Sequence, residues 1–275
     1  MRLRRCQAAG FAILVHMKIS LITVCFNSAA TLPSTFASVL AQEGAEIDYH
    51  VVDGASKDDT VALLREWAPK FAAKGIAFTW TTEPDKGLYD AINKGIARAT
   101  GDVVGILNAD DFFEDAHVLA DVASAFDPQT RAIYGDIRFV RGESTETARY
   151  YSSRPWRRWM HNWGYMPAHP SIYVRREVFE TYGGYKLGYE ISADFEWMTR
   201  VLCGKKGGLP PVPAKYLPRC LVTMRLGGKS TGGLKAMLRL NRENVRANRE
   251  NGYFCCLPMM LPKYAYKVLG YVFRH

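Results

Sequence analysis

The chain has 275 residues, 48% of them hydrophobic, so it can form one large α/β domain or two small ones with a proper core. Its six cysteines show no Cys-x-x-Cys pair and no metal-like spacing, which argues against a zinc site and favours a reducing compartment. The net charge of +9 is concentrated in residues 215–275, which hold twelve Lys and Arg against two Glu. Nucleic acid, anionic lipid and a polyanionic substrate all suit that basic region, and composition does not choose among them.

Residues 1–16 are predicted to be a disordered leader or an upstream extension. Arginines and a short apolar run give them a superficial likeness to a secretory signal, but no Ala-x-Ala cleavage site follows. Strand-like sequence begins at Met17, which we expect to be the natural start.

Apolar runs and helical periodicities alternate between residues 19 and 137. Five short apolar runs predict strands, at 19–25, 47–52, 76–81, 103–107 and 132–137. Three segments between them carry apolar side chains at helical spacing and begin near Leu32, Asp58 and Leu88. This alternation predicts an α/β fold with a Rossmann-like, mostly parallel sheet covered by helices. A basic helix is predicted over 234–250, ahead of a final segment with apolar rows at helical spacing.

The stretch 101–111 contains the first candidate functional site. Its apolar strand ends abruptly in Asn108, Asp110 and Asp111, and ligands of open α/β sheets bind beyond the carboxyl ends of the strands. Carboxylates at such a place repel one another unless a cation joins them. Magnesium is usually held by one or two carboxylates together with substrate phosphates. The alternative is that the two aspartates cap a following helix.

Two further predicted strands also end in polar residues, at Asn27 and at Asp53. The chain has neither a Gly-x-Gly-x-x-Gly after its first strand nor a Gly-x-x-x-x-Gly-Lys-Ser/Thr loop, so both common nucleotide fingerprints are absent from the sequence. Convergence of three polar strand ends at one edge would suit a diphosphate-bearing ligand with a metal ion.

Four segments resemble the motifs of family-2 inverting glycosyltransferases with the GT-A fold. They occur in the family's order, at residues 20–27 (SLITVCFN), 51–60 (VVDGASKDDT), 83–95 (EPDKGLYDAINKG) and 107–111 (LNADD). The chain most resembles the bacterial branch that builds exopolysaccharide, capsule or lipopolysaccharide. The resemblance implies transfer of a sugar from a nucleotide-diphospho donor to a glycan or lipid-linked acceptor, with inversion.

The resemblance also implies a set of nucleotide-sugar-binding residues in the first half of the chain. Asp53 would bind the base of the nucleotide, and Asp85, Lys86 and Asn93 would line its ribose and diphosphate. The implied set in this half is Thr23, Phe26, Asn27, Asp53, Asp85, Lys86, Asn93 and Asn108.

A divalent metal cofactor, Mn²⁺ or Mg²⁺, is implied as well. Asp110 matches the second Asp of the family's Asp-x-Asp element, and Asn108 stands where the first Asp is expected. Asn108 can hydrogen-bond a ribose but carries no charge. We therefore predict that Asp110 and Asp111 hold the metal.

Asp194 is the predicted catalytic base. The family places its base here, usually within a Glu-Asp pair, whereas this chain has Ala193-Asp194. Inverting transfer needs one carboxylate that takes the proton of the acceptor hydroxyl as that hydroxyl attacks the anomeric carbon. The alternative is that Asp194 only complements the dipole of a helix capped by Ser192, and Glu196 is the next candidate base.

Three segments of the second half have open interpretations. The glycine-rich basic loop 225–232 tends to close over the donor in this branch, which implies that Arg225 and Lys229 bind nucleotide sugar; a plain flexible linker is the alternative. The basic, aromatic segment 154–163 suits sugar stacking or a lipid headgroup, or else is a packed surface. His169 matches a His-Pro-Ser element of the branch, but a single His is more often structural.

The sequence as a whole predicts a metal-dependent inverting glycosyltransferase on the inner face of the cell membrane. We expect a nucleotide-sugar-binding half over 17–111, an acceptor-binding and catalytic half over 112–232, and a basic helical tail over 233–275. The tail either lies in an anionic membrane surface or packs on the catalytic domain. The competing functions are sugar-nucleotide binding without turnover and nucleic-acid binding by the tail, and no recognition motif supports the second.

Overall fold

The structure is a computed structural model that describes residues 17–142, 144, 146–226 and 233–265. The predicted leader 1–16, Lys229 with its loop 227–232, and the last ten residues lie outside the described residues.

The first half of the chain alternates strands and helices as its periodicity predicts. Its elements are β1 (Lys18–Cys25), α1 (Leu32–Leu40), β2 (Glu46–Asp53), α2 (Thr60–Ala73), β3 (Ala77–Thr82), α3 (Leu88–Ile96) and β4 (Val103–Ile106). Strands β1 and β4 are almost completely buried because layers of side chains cover both of their faces.

The second half is less regular. Its elements are β5 (Phe112–Phe113), α4 (Val118–Ala125), β6 (Ala132–Val140), β7 (Arg149–Tyr151), β8 (Ile172–Arg175), α5 (Arg176–Tyr182), α6 (Ala193–Met198), β9 (Ala214–Arg225) and α7 (Gly233–Glu250). A π-helical turn at Thr199–Cys203 continues α6, and 3₁₀ turns lie at Arg158–Trp163, His169–Ser171 and Leu257–Met260. Because β5 follows Asp111 directly, the alternative that Asp110 and Asp111 cap a helix is wrong.

Within the described residues, nine strands form one sheet in the order β3-β2-β1-β4-β8-β6-β9-β5, with β7 beside β6. Strands β1 to β4 are parallel to one another, whereas β8 pairs antiparallel with both β4 and β6. Strand β9 runs parallel to β6 and antiparallel to β5. The predicted α/β fold is confirmed, and its parallel part is the part that carries the family motifs.

Two hydrophobic clusters cover the two faces of the sheet. Ile22 and Val24 of β1 belong to the cluster that contains Phe195 and Trp197 of α6. Their neighbour Leu21 points to the other face, as alternation along a strand requires. Helix α6, the carrier of Asp194, is therefore anchored on the same face as α3, whose Ile92 lies in the same cluster.

Helix α7 and the residues after it pack on the rest of the protein. Ala247 of α7 is fully buried in the cluster that holds α6, and the hydroxyl of Tyr264 donates to Oδ1 of Asn241 at 3.1 Å. For residues 233–265 these contacts favour the packed alternative. Among the described residues, no helix is both long enough and apolar enough to cross a bilayer.

Candidate active site

The polar ends of β1, β2 and β4 meet at one edge of the sheet. Cys25, at the end of β1, lies opposite Asp53 at the end of β2, and the N–H of Gly54 donates to the Cys25 carbonyl at 2.9 Å. On the other side of β1, the N–H of Leu107 donates to the carbonyl of Ile22 at 2.9 Å. The predicted convergence of the three strand ends is confirmed.

Hydrogen bonds connect the loop after β1 to the loop after β2, so that the two loops form one continuous surface. The buried carboxylate of Asp53 accepts the Ser56 hydroxyl at 2.5 Å, and the N–H of Asn27 donates to that hydroxyl oxygen at 2.7 Å. Oδ1 of Asn27 accepts the N–H of Lys57 at 2.8 Å. Asn27 and Ala55 have left-handed backbones, with φ of 50° and 62°. This strain is compatible with a functional loop that its surroundings hold in place.

Phe26 and Asp85 lie on either side of Gly54. A Cβ at Gly54 would lie 2.4 Å from Oδ2 of Asp85 and 3.4 Å from Cδ2 of Phe26, so a larger residue here would displace the Asp85 carboxylate from its position. The Phe26 side chain is 60% exposed and presents an open aromatic surface next to the Asp85 carboxylate. Lys86 is exposed on the same loop, and its N–H donates to Asp90 at 3.0 Å.

The side chains of two predicted nucleotide-sugar-binding residues have hydrogen-bond partners within the protein. Thr23 is fully buried and accepts the hydroxyl of Tyr49 at 3.0 Å, which corrects the direct nucleotide contact predicted for its side chain. The amide of Asn93 donates to the carbonyl of Tyr185 and accepts the N–H of Tyr185, both at 2.8 Å. Its observed role is to tie α3 to the segment after α5, and a ribose contact of Asn93 stays a prediction.

The acidic corner after β4 is built around Asp111. This side chain is completely buried, and its Oδ2 accepts the Asn108 amide at 2.9 Å. Arg225, at the end of β9, donates to the carbonyl of Asp110 at 2.6 Å and to the Ser34 hydroxyl at 2.9 Å. The predicted residues Asn108, Asp110, Asp111 and Arg225 therefore lie together.

The Asp111 carboxyl is buried next to a second acidic side chain, Asp110. Burial, and next the charge of Asp110, raise the pKa of its carboxyl well above the usual value, against the opposing effects of Asn108 and Arg225. Its Oδ1 is buried without a hydrogen-bond partner. Across the described residues, His, Cys, Asp and Glu form no group of three or more suited to a metal. Two neighbouring carboxylates are nevertheless the kind of ligand that Mg²⁺ or Mn²⁺ takes together with substrate phosphates.

Asp194 lies in the first turn of α6, as predicted, and its side chain remains partly accessible. Its Oδ1 accepts the N–H of Phe195 at 2.8 Å and lies 3.2 Å from the hydroxyl of Tyr89. Burial raises the pKa of the Asp194 carboxyl, and the charge of His169 and these hydrogen bonds lower it by less. A raised pKa suits a carboxylate that accepts a proton.

Three aromatic or imidazole side chains surround Asp194. Nε2 of His169 lies 2.8 Å from the Tyr185 hydroxyl, and the ring of Tyr185 stacks on that of Tyr89 at 5.7 Å. Burial lowers the pKa of His169, and the nearby charge of Asp194 raises it by less. Sequence reasoning ranked His169 low and missed both tyrosines, although Tyr89 falls inside the segment 83–95 that carries the family resemblance.

Two other predictions around α6 are resolved by their contacts. Glu196 is completely buried and forms ion pairs of 2.9 Å with both Arg200 and Lys186, so it is wrong as the fallback base. Ser192 occupies the N-cap position of α6 but makes no capping hydrogen bond with its side chain, which corrects the predicted cap.

Known proteins share both the sequence pattern and the fold. The sequence model of the protein family Glycosyl transferase family 2 matches residues 20–183. The chain belongs to glycosyl transferase family 2. This family-2 glycosyltransferase is similar to the PGL/p-HBAD biosynthesis glycosyltransferase of Mycobacterium bovis. The two are 31% identical over 188 residues, which cover 66% of this chain and 68% of the relative.

Solved structures with low identity confirm the GT-A fold of this family-2 glycosyltransferase. S. aureus TarS 1–349 in complex with UDP-GlcNAc has a TM-score of 0.63 at 15% identity, covering 84% of this chain and 66% of that one. The mannosyltransferase PcManGT from Pyrobaculum calidifontis, in complex with GDP-Man and Mn²⁺, has a TM-score of 0.61 at 19% identity. That match covers 93% of this chain and 71% of the other.

Proposed function

We propose that this glycosyltransferase moves one sugar from a nucleotide-diphospho donor to a glycan or lipid-linked acceptor, with inversion, in cell-surface polysaccharide biosynthesis. The observation that carries the proposal is the placement of Asp194. Its carboxyl, with a raised pKa, contacts Tyr89 of α3, and α3 begins directly after the loop of Asp85 and Lys86. One base beside a donor crevice suits a single in-line displacement.

The donor would lie across the ends of β1, β2 and β4. The exposed ring of Phe26 offers a stacking surface for the nucleoside. The hydrogen-bonded loops that contain Asn27, Asp53 and Ser56 would lie next to the nucleoside. Lys86 supplies a positive charge for the diphosphate. The structural relatives crystallised with UDP-GlcNAc and GDP-Man support a nucleotide-sugar donor without choosing between the two bases.

A divalent metal would be held by Asp110 and Asp111. The Oδ1 of Asp111, which is buried without a hydrogen-bond partner, fits a cation. The ion would offset the charge of the departing diphosphate. Arg225 fixes the backbone of Asp110 and so sets the shape of this corner. The Mn²⁺ bound to the related mannosyltransferase supports this assignment.

The direct test is a panel of nucleotide sugars that includes UDP-GlcNAc and GDP-mannose, measured for binding and for hydrolysis with Mn²⁺ present. We expect one donor to be hydrolysed slowly and to be transferred faster once an acceptor is supplied. Proton NMR of the product should show the anomeric configuration opposite to that of the donor. A retained configuration would contradict the proposed single displacement, and binding without turnover would support the non-catalytic alternative.

An anionic membrane surface is the proposed site of action, and exposed apolar side chains in two adjacent segments support it. Sγ of Cys255 lies 3.2 Å from the carbonyl of Asn162, and a Cβ at Gly164 would lie 2.9 Å from both Met260 and Lys263. The exposed apolar side chains of these segments, called the tryptophan–leucine face below, are Trp159, Trp163, Phe254, Leu257 and Leu261. Residues 154–163 and 253–265 include three Arg and one Lys but no Asp or Glu, which suits anionic headgroups.

Substituting this face should weaken vesicle binding. Trp159→Glu and Leu261→Glu each remove an exposed apolar side chain, 66% and 63% accessible, and add a negative charge. We expect each variant to bind phosphatidylglycerol vesicles about thirtyfold more weakly in a sedimentation assay, because burying such a side chain contributes roughly 2 kcal/mol. Leu187→Glu is the matched control, since Leu187 is also exposed but lies outside the face. Equal loss in all three variants would contradict the proposed face, as would binding of the parent that salt does not weaken.

A further inference from the structure

One carboxylate of α7 binds the backbone directly before the proposed base. Oε1 of Glu243 accepts the N–H of Glu190 at 2.9 Å, and its Oε2 accepts the N–H groups of Ile191 and Ser192 at 2.9 and 2.8 Å. Three consecutive backbone donors thus converge on a single side chain. Charge-assisted hydrogen bonds of this kind are stronger than neutral ones.

The same tripeptide is held from its other side by α3. The hydroxyl of Tyr89 lies 2.5 Å from the carbonyl oxygen of Ile191 and 3.2 Å from Oδ1 of Asp194. Ile191 is therefore fixed through its N–H by Glu243 and through its carbonyl by Tyr89. The Asp194 side chain shares the second of these anchors.

Glu243 binds the N–H of the residue at the N-cap of α6. This residue, Ser192, makes no side-chain capping bond, and within the first turn the N–H of Phe195 is accepted by Asp194. A carboxylate at this end also complements the helix dipole. The neighbouring ion pair of Arg239 with Glu190 ties a second residue of α7 to the same segment.

We propose that Glu243 is a positioning residue for Asp194. It fixes residues 190–192 and thereby sets the direction in which the first turn of α6 presents the carboxylate to the acceptor. The proposal rests on the proposed function in one respect, namely that Asp194 is the base. It does not depend on the identity of the donor, the metal or the acceptor.

Glu250 provides the matched control on the same helix. Its carboxylate also makes several hydrogen bonds, but they go to the side chains of Lys186, Tyr189 and Arg246. Glu250→Gln therefore makes the same chemical change as Glu243→Gln. It leaves the hydrogen bonds between the Glu243 carboxylate and the backbone of residues 190–192 in place.

The first measurement is hydrogen exchange of the full chain by mass spectrometry. Peptides that contain residues 190–192 should exchange at least about tenfold faster in Glu243→Gln, because local opening follows the loss of these bonds, and should be unchanged in Glu250→Gln. Unchanged exchange in Glu243→Gln would overturn the proposal whether or not the protein is a transferase. If Glu243→Gln does not fold, Glu243→Asp keeps the charge, shortens the side chain by one methylene and is subject to the same test.

The second measurement is a double-mutant cycle with Asp194→Asn, using the donor that the panel selects. Glu243→Gln should lower kcat about ten- to a hundredfold at unchanged donor KM, since small misplacement of a catalytic group has effects of this size. In the Asp194→Asn background the same change should have almost no effect, because the group it positions is gone. Equal losses in both backgrounds would show a general structural role and overturn the proposal. A parent without turnover would instead refute the proposed function, and the exchange result would still stand.

Discussion

Asp194→Asn is expected to reduce sugar transfer by roughly a hundredfold or more, the usual scale of general-base catalysis. Asparagine keeps the size of the side chain and can still accept the N–H of Phe195, but it cannot take a proton from the acceptor. Donor and metal binding should be close to those of the parent, because the carboxylate acts on the acceptor side. The measurement is kcat for transfer together with the Kd of the donor by calorimetry.

The alternative role for Asp194 predicts a different result. If the carboxylate only complements a helix dipole, asparagine should be almost silent, since it serves at helix N-termini about as well as aspartate. In the parent, the raised pKa of Asp194 should place the acid limb of kcat/KM above the pH expected for an ordinary aspartate. Activity would then fall as the pH drops through that pKa. A variant that retains most of its turnover would remove Asp194 from the mechanism.

Removal of the divalent metal is the second large perturbation. EDTA should abolish transfer, and Mn²⁺ or Mg²⁺ should restore it, because two carboxylates alone would repel the diphosphate. Asp110→Ala should lower kcat/KM by roughly a hundredfold or more and also weaken binding of the nucleotide diphosphate, since the ion would join protein and phosphate. Calorimetric titration of UDP or GDP with and without Mn²⁺ gives a readout that does not depend on turnover.

Asp115→Asn is the control for this corner of the protein. Asp115 lies four residues from Asp111, but its exposed carboxylate pairs with Arg219 at the surface. Such a pair contributes little, so both activity and metal-dependent nucleotide binding should stay near those of the parent. Full activity of the wild-type chain in metal-free buffer would refute the assignment of Asp110 and Asp111.

Sequence periodicity and motifs predicted the part of the site that is built from strand ends. Asp53 is the last residue of β2 and Asp110 lies in the turn after β4, and parallel pairing brings neighbouring strand ends together whatever the details of the helices. The resemblance of residues 20–27 to a family motif could not show which of their side chains face the proposed donor site. Thr23 belongs to the resembling segment, but alternation along β1 turns it toward Tyr49 and the core.

The base region was harder to predict because its contacts join distant parts of the chain. Asp194 was found by resemblance, yet its neighbour Tyr89 lies 105 residues away. Glu243 is 51 residues from Ser192, and no local pattern distinguishes it from the other charged residues of a basic helix. The contact of Asn93 is equally distant, since this polar residue of a motif binds the backbone of Tyr185, and its predicted contact with ribose stays a prediction.

The position of β8 between β4 and β6 affects how the chain folds during synthesis and whether its first half can be expressed as a fragment. Strand β4 receives its second neighbour only from residues 172–175, which follow it by some seventy positions. Until β8 has been synthesised, residues 17–111 therefore present β4 as an apolar edge strand that can pair with other chains. A fragment that stops at residue 111 would keep that edge permanently and is prone to aggregate, although it contains every motif of the family's first half. The boundary predicted at residue 111 therefore cuts through one continuous sheet, in which β4 pairs with β8.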